Sequence, residues 1–207
     1  MVEARAEILP GYTRVTTVTD FFQEPDLVEW KLKKGAEAKK LSKQAMKIGS
    51  EVDAAIKQFV LTGSYGKVKT VEAASCLDGF KRWHEDYKPD LTLGVRFYND
   101  EYMITGEPDL ILDGRIIDIK CSRSVYPKYH LQTAAYSYPT NTFKTAILRL
   151  HKGLSDYEYV CHDNDEVLDD QLAFFGLLTA FKRVQLLAGK GDCNADNITN
   201  DEIGNQF

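Results

Sequence analysis

The stretch Gly106-Glu107-Pro108-Asp109-Leu110-Ile111-Leu112-Asp113-Gly114-Arg115-Ile116-Ile117-Asp118-Ile119-Lys120 decides the fold. Asp113-Gly114 is a two-residue hairpin loop, since both central positions of a type I′ turn need positive φ. With that loop set, Leu112 faces Arg115, Ile111 faces Ile116, Leu110 faces Ile117 and Asp109 faces Asp118. Opposed residues share a sheet face with β-carbons about 4.5 to 5.5 Å apart, where like charges repel unless something compensates them. A divalent cation would compensate. Alternation puts Lys120 on the Asp118 face and turns Ile117 and Ile119 the other way, into a core. Two carboxylates and one amine therefore converge on one spot.

Such a set suits metal-assisted hydrolysis of a phosphodiester. Oxygen donors favour Mg²⁺, with Mn²⁺ able to take its place. Lys120 would position water or steady the charge of the transition state. A sheet-edge hairpin with solvated charges reads equally well from this local pattern, because a short acidic motif is weak evidence by itself.

Outward from the hairpin, residues 91–97 and 102–112 also alternate and, with 115–121, read as an antiparallel meander. A helix around 129–138 separates it from strand-like 145–150 and 157–161, and Leu168, Leu172, Phe175, Leu178, Phe181 and Leu187 mark a long closing helix. Upstream, a helix capped by Thr19 or Asp20 runs past Phe22, Leu27 and Trp30 to a break at Gly49. A second begins at Ser50 with Val52, Ile56, Phe59 and Val60, and a third carries Ala74, Leu77, Phe80, Trp83 and Tyr87 before Pro89. This order predicts an α/β fold with a central mixed sheet flanked by helices, in which a parallel strand joins only after the crossover helix.

Composition is compatible with one soluble domain: 207 residues, 43% hydrophobic and 28% charged. No apolar run reaches the length of a membrane span, and the start, MVEARAEILPGY, lacks an apolar signal region, so an intracellular location is expected. Cys76, Cys121, Cys161 and Cys193 form no CxxC pair, which gives a zinc ribbon no local support and makes free thiols the expectation. The net charge of −5 is segregated. Lys31, Lys33, Lys34, Lys39, Lys40, Lys43 and Lys47 face Glu37 alone, whereas residues 156–170 hold seven acids and no Lys or Arg.

Pro108-Asp109 followed by Asp118-Ile119-Lys120 resembles the signature of the PD-(D/E)xK nucleases, and Gln132-Thr133-Ala134-Ala135-Tyr136 resembles the QxxxY motif of their RecB-like branch. Residues 11–18, Gly-Tyr-Thr-Arg-Val-Thr-Thr-Val, and Leu27-Val28-Glu29-Trp30 resemble the opening of phage-type and mitochondrial genome-maintenance exonucleases. The resemblance implies a restriction-endonuclease-like core in a single nuclease domain over 1–188. Its helical part would span 19–88, its catalytic core 90–162 and its C-terminal helix 166–188, with a polar flexible tail at 189–207. It implies a Mg²⁺-dependent DNA exonuclease acting on single strands or DNA ends in recombination, repair or replication. A structure-specific endonuclease, or a degenerate binding module, is the alternative.

Catalysis would fall to Asp109, Asp118, Lys120, Gln132 and Tyr136, and metal binding to Asp53, Asp109, Asp118 and the Ile119 carbonyl. Asp53 stands where family members usually carry a histidine, and its competing role is a capping-box partner of Ser50. No iron–sulfur cluster is expected, since the downstream cysteine cluster is missing. DNA phosphates would meet Lys31, Lys34, Lys39, Lys43, Arg123 and Lys128, with Tyr12, Trp30, Tyr126 or Tyr129 stacking unpaired bases. The acidic 156–170 segment would face away from DNA or mimic it. A recombination partner protein is a further implication of the resemblance.

Overall fold

Apolar residues recurring every three or four positions, between a few conformational stops, make the first half of the chain helical. A computed structural model describes residues 8–189. A short strand, β1 (Thr13–Arg14), leads into α1 (Val15–Phe21), α2 (Pro25–Lys34), α3 (Ala36–Thr62) and α4 (Val71–Tyr87). Pro25 opens α2 where a missing N–H costs nothing, and Gly63 closes α3 at φ 73°, a left-handed position that suits glycine. Thr70 caps α4 by accepting the Ala73 N–H.

Two upstream expectations fail. The first helix starts at Val15, without a Thr19 or Asp20 cap, and stops before Phe22. Nor does Gly49 break anything: α3 runs for 27 residues straight through Gly49 and Ser50. Ile48, Val52, Ala55 and Ile56 form one buried stripe on either side of the glycine. Burying that stripe outweighs the roughly 1 kcal/mol that an internal glycine costs. Ser50 and Asp53 therefore lie mid-helix, and the capping-box role is excluded.

The second half contains β2 (Thr92–Leu93), β3 (Phe97–Asn99), β4 (Ile104–Gly106), β5 (Leu110–Leu112) and β6 (Arg115–Lys120). After it come α5 (Pro127–Ser137), β7 (Lys144–Leu150), β8 (Tyr157–Asp163) and α6 (Asp165–Leu187). The main sheet has the order β2-β5-β6-β7-β8, with β7 parallel to β6 across the α5 crossover and the other pairs antiparallel. This is the expected mixed sheet. The continuous meander over 91–121 is not formed, because β3 and β4 leave it to make a small sheet, β1-β4-β3, in which β1 runs parallel to β4. The chain turns from one sheet to the other at Glu107-Pro108, where proline can offer no ladder donor. Gly94 allows that crossing, since a β-carbon there would lie 2.1 Å from the Pro108 carbonyl oxygen.

Alternation along β6 assigns each side chain to one face of the main sheet. Ile117 joins Leu110, Leu148 and Leu150 against Val52, Phe80 and Trp83 of α3 and α4. Ile116 packs with Val15, Tyr136 and Phe174 of α1, α5 and α6. Asp118, two residues on from Ile116, thus faces α5. No described helix is long and apolar enough to cross a membrane. The expected tail lies, beyond Gly189, outside the described residues.

A continuous α3 has a direct test. A β-carbon on Gly49 would meet nothing within 4 Å, so Gly49→Ala should stabilise the protein by about 0.5 to 1 kcal/mol. Urea unfolding measures this; a loss of stability would place a break where the helix is described as unbroken.

Candidate active site

The β5–β6 hairpin has the register set by its turn, Leu112 to Arg115, Ile111 to Ile116 and Leu110 to Ile117. Ladder pairing ends there, one step short of the Asp109–Asp118 pair. Asp109 bends out of the strand: its carbonyl accepts the Gly94 N–H at 3.3 Å and its Oδ2 accepts the Ile119 N–H at 2.6 Å. A side-chain bond to β6 replaces the backbone bond, and it anchors the Asp109 carboxylate beside that strand.

Asp118 is 2% exposed. The two hydrogens of the Gln132 amide go to Asp118 Oδ1 and to the Tyr136 hydroxyl, each at 2.9 Å. Gln132 Oε1 accepts from Lys120 Nζ at 3.2 Å, and that ammonium lies 2.6 Å from Asp118 Oδ2. It also sits 4.9 Å from the centre of the Tyr129 ring, a cation–π contact. Gln132 and Tyr136 reach this network together because they are four residues apart on α5. Gly106 leaves room for the ring, since a β-carbon there would lie 2.4 Å from Tyr136 Cε1.

Burial, then the Asp118 charge, pushes Asp109 up to about 7. Burial likewise raises Asp118, against the pull of Lys120. For Lys120 burial acts downward, but the Asp118 and Asp109 charges outweigh it and hold the ammonium above the ordinary lysine value. Burial and the same two carboxylates push Tyr136 up, so it remains a neutral phenol. Beyond its ion pair with Lys120, Asp118 Oδ2 has no hydrogen-bond donor. An acid-rich, largely buried pocket in which two carboxylates face one another across the hairpin fits a hard divalent cation.

Asp53 stands at the edge of this pocket, where its charge raises both Asp109 and Asp118. Its carboxylate pairs with Lys57 at 3.2 Å, and Lys57 also lies 3.5 Å from Glu107. Glu51 turns elsewhere and accepts the Lys69 N–H. Ile119 lies between Asp118 and Lys120 on β6, with its N–H on Asp109. Burial and a contact with Cys76 raise the Cys121 thiol, led by that contact, which suits a packing residue rather than a nucleophile.

The basic candidates separate. Lys31, Lys34, Lys39 and Lys43 are exposed on α2 and α3, with Lys34 near Glu37 at 3.6 Å. Lys128 is held by Asp20 at 3.0 Å. Arg123 lines a cavity of about 240 Å³ with Ser122, Arg149, His151 and Lys152, just past Lys120. Sequence reading missed His151 and Lys152, because the loop bearing them is placed by Ser75 on α4. That hydroxyl accepts the N–H groups of Gly153 and Ser155, both at 2.8 Å, and donates to the His151 carbonyl. Of the stacking candidates, Tyr129 and its edge-on neighbour Tyr126 border the site. Tyr12 bonds Asp100 and packs on Tyr98. Of the acidic segment, Asp156, Glu158 and Asp163 pair with Arg82, Arg149 and Arg115, while Asp165, Glu166 and Asp169 are exposed at the start of α6.

No protein-family model matches the chain, and no curated protein matches it. Among solved structures, the alkaline exonuclease LHK-Exo from Laribacter hongkongensis is 15% identical, with 87% of this chain and 94% of that one covered at a TM-score of 0.43. The same exonuclease in complex with dAMP gives 16%, 87%, 94% and 0.44. SSO0001 is 13% identical over 96% of this chain and 90% of that one, with a TM-score of 0.43.

The Asp109 shift has a sign that can be measured in EDTA. Its folded value near 7 stands above the ordinary 3.8, so the folded protein holds a proton that the unfolded chain releases. That contribution is complete below about pH 4 and is lost as pH rises through about 7. Between pH 5 and 8 the melting temperature of the wild type should therefore fall more than that of Asp109→Asn. Parallel curves would show that Asp109 carries no such shift.

Proposed function

We propose that this chain is a Mg²⁺-dependent DNA exonuclease built like the RecB-like PD-(D/E)xK enzymes. The observation that carries the reading is the buried network in which Gln132 bonds Asp118, Lys120 and Tyr136 at once, with Asp109 tied to the same strand. A merely structural Asp118–Lys120 pair would not need the second buried carboxylate of Asp109 beside it.

Asp109 and Asp118 would hold the cation, with Asp53 and the Ile119 carbonyl completing the set; Asp53 would share its carboxylate with Lys57 or release it. When bound, Mg²⁺ supplies positive charge to the phosphate and to the departing oxygen, and Mn²⁺ would serve similarly. Lys120 is aimed by Asp118 and Gln132, and its ammonium would orient the attacking water and steady charge on the scissile phosphate. Gln132 fixes the Asp118 carboxylate, and the neutral Tyr136 hydroxyl fixes Gln132 from the far side.

The unbroken α3 supports a phosphate track. At about 100° per residue, Lys39, Lys43, Asp53 and Lys57 fall within an arc of about 80° on one side of the helix. Lys43 then stands about 15 Å, and Lys39 about 21 Å, along the axis from Asp53. The Arg123 cavity offers cationic side chains beyond Lys120. Lys31 and Lys34 would extend the track, while Lys128 would have to exchange Asp20 for phosphate. Such contacts read backbone rather than base edges, so sequence preference should be slight.

Linear single- and double-stranded DNA, labelled at each end, should be degraded with Mg²⁺ but not with EDTA, and circular single strands should survive. Asp118→Asn and Lys120→Ala should each lower the rate by at least about 100-fold while DNA is still bound. A cut circle would make the same site an endonuclease. Binding without cleavage in any metal would make the chain a DNA-binding module.

A further inference from the structure

Away from the carboxylate–lysine pocket, three ligand-type side chains from three elements meet. His130 on α5, His162 on β8 and Asp170 on α6 each place one donor atom within 4.8 Å of the others. His162 Nδ1 lies 2.8 Å from Asp170 Oδ2. The His130 and His162 rings stack with centroids 4.0 Å apart and 15° between planes. All three residues are half-buried, and a cavity of about 280 Å³, walled also by Phe22, Val125, Pro127 and Leu131, opens beside them. The proposed cleavage uses none of them: His130 and Gln132 are two residues apart on α5, about 200° around the helix.

We propose that His130, His162 and Asp170 form a second metal site, one for Zn²⁺ or a comparable first-row transition ion. Two imidazoles and one carboxylate are a nitrogen-rich set that suits Zn²⁺, Co²⁺ or Ni²⁺, in contrast to the all-oxygen set at Asp109 and Asp118. Three protein ligands beside an open cavity leave a fourth position for water. Donors around a tetrahedral zinc lie about 3.3 Å apart, so donor atoms now within 4.8 Å of one another must draw together and reorient. Stacked imidazoles point their in-plane lone pairs side by side. One ring must therefore turn about its Cβ–Cγ bond for both to face the ion, and the stack opens on binding. The ion would tie α5, β8 and α6 together behind the helix that carries Gln132 and Tyr136. This site stands independently of the nuclease reading.

Co²⁺ titration of the full metal-free chain tests it, with visible absorption and thermal unfolding as readouts. One equivalent of Co²⁺ should produce ligand-field bands and a higher melting temperature in the wild type and in Asp118→Asn. Excess Mg²⁺ should leave the bands in place. His130→Ala and His162→Ala should lose them, and Asp170→Asn should weaken binding by about 10-fold or more. If a histidine variant fails to fold, by circular dichroism, Asp170→Asn and His162→Gln give the same readout. Bands absent from the wild type, retained in both histidine variants, or lost in Asp118→Asn would overturn the proposal.

Discussion

Two carboxylates that share a dry pocket need positive charge, and the region around Asp109 and Asp118 is organised by that need. The Lys120 ammonium lies against Asp118 at 2.6 Å, and that of Lys57 stays at the rim with Asp53 and Glu107. Asp109 receives a backbone N–H instead, which offsets burial only in part, and its carboxyl is pushed up to about 7. The remaining deficit can be met in two ways, by a proton or by a cation. A proton leaves an inert hydrogen-bonded pair; a cation leaves a phosphate-binding centre with Lys120 beside it. The nuclease reading follows from the second way.

The scaffold gives this pocket little freedom. β6 is central in the main sheet, bonded on both edges, so Asp118 and Lys120 cannot shift without shifting β5 and β7. α5 crosses from β6 to β7 and lays Gln132 and Tyr136 over the two side chains. The buried Gln132 amide is fully used, with both hydrogens and the oxygen engaged. A half-satisfied amide in such a place would be costly, which is why the network holds one geometry. α3 closes the third side with Asp53 and Lys57, and its length links the pocket rigidly to exposed lysines.

Much of this was legible from local chemistry. Asp113-Gly114 determines the hairpin register and period two puts Asp118 and Lys120 on one face, whereas Gln132 and Tyr136 are marked by resemblance to the QxxxY motif, with period four placing both on one side of a helix. Less legible was anything set by distant packing. Gly49-Ser50 reads as a helix start, yet the buried stripe from Ile48 to Ile56 carries α3 through it. Residues 91–112 alternate like one meander, but Gly94 against Pro108 turns the chain between two sheets. The pairing of β1 with β4 covers two residues and has no local signal. His130, His162 and Asp170 meet only because α5, β8 and α6 pack together, and no spacing among them suggests a ligand set. Likewise His151 and Lys152 reach the Arg123 cavity through a loop held by a serine 76 residues earlier than His151.

The most direct measurement of the central claim is diffraction from crystals soaked in Mn²⁺, with anomalous data collected at the manganese edge. A cation held by both carboxylates predicts an anomalous peak between Asp109 and Asp118, with Lys120 drawn away from Asp118 Oδ2. No peak there at saturating Mn²⁺, or one confined to the His130–His162–Asp170 cluster, would contradict a catalytic metal at the hairpin.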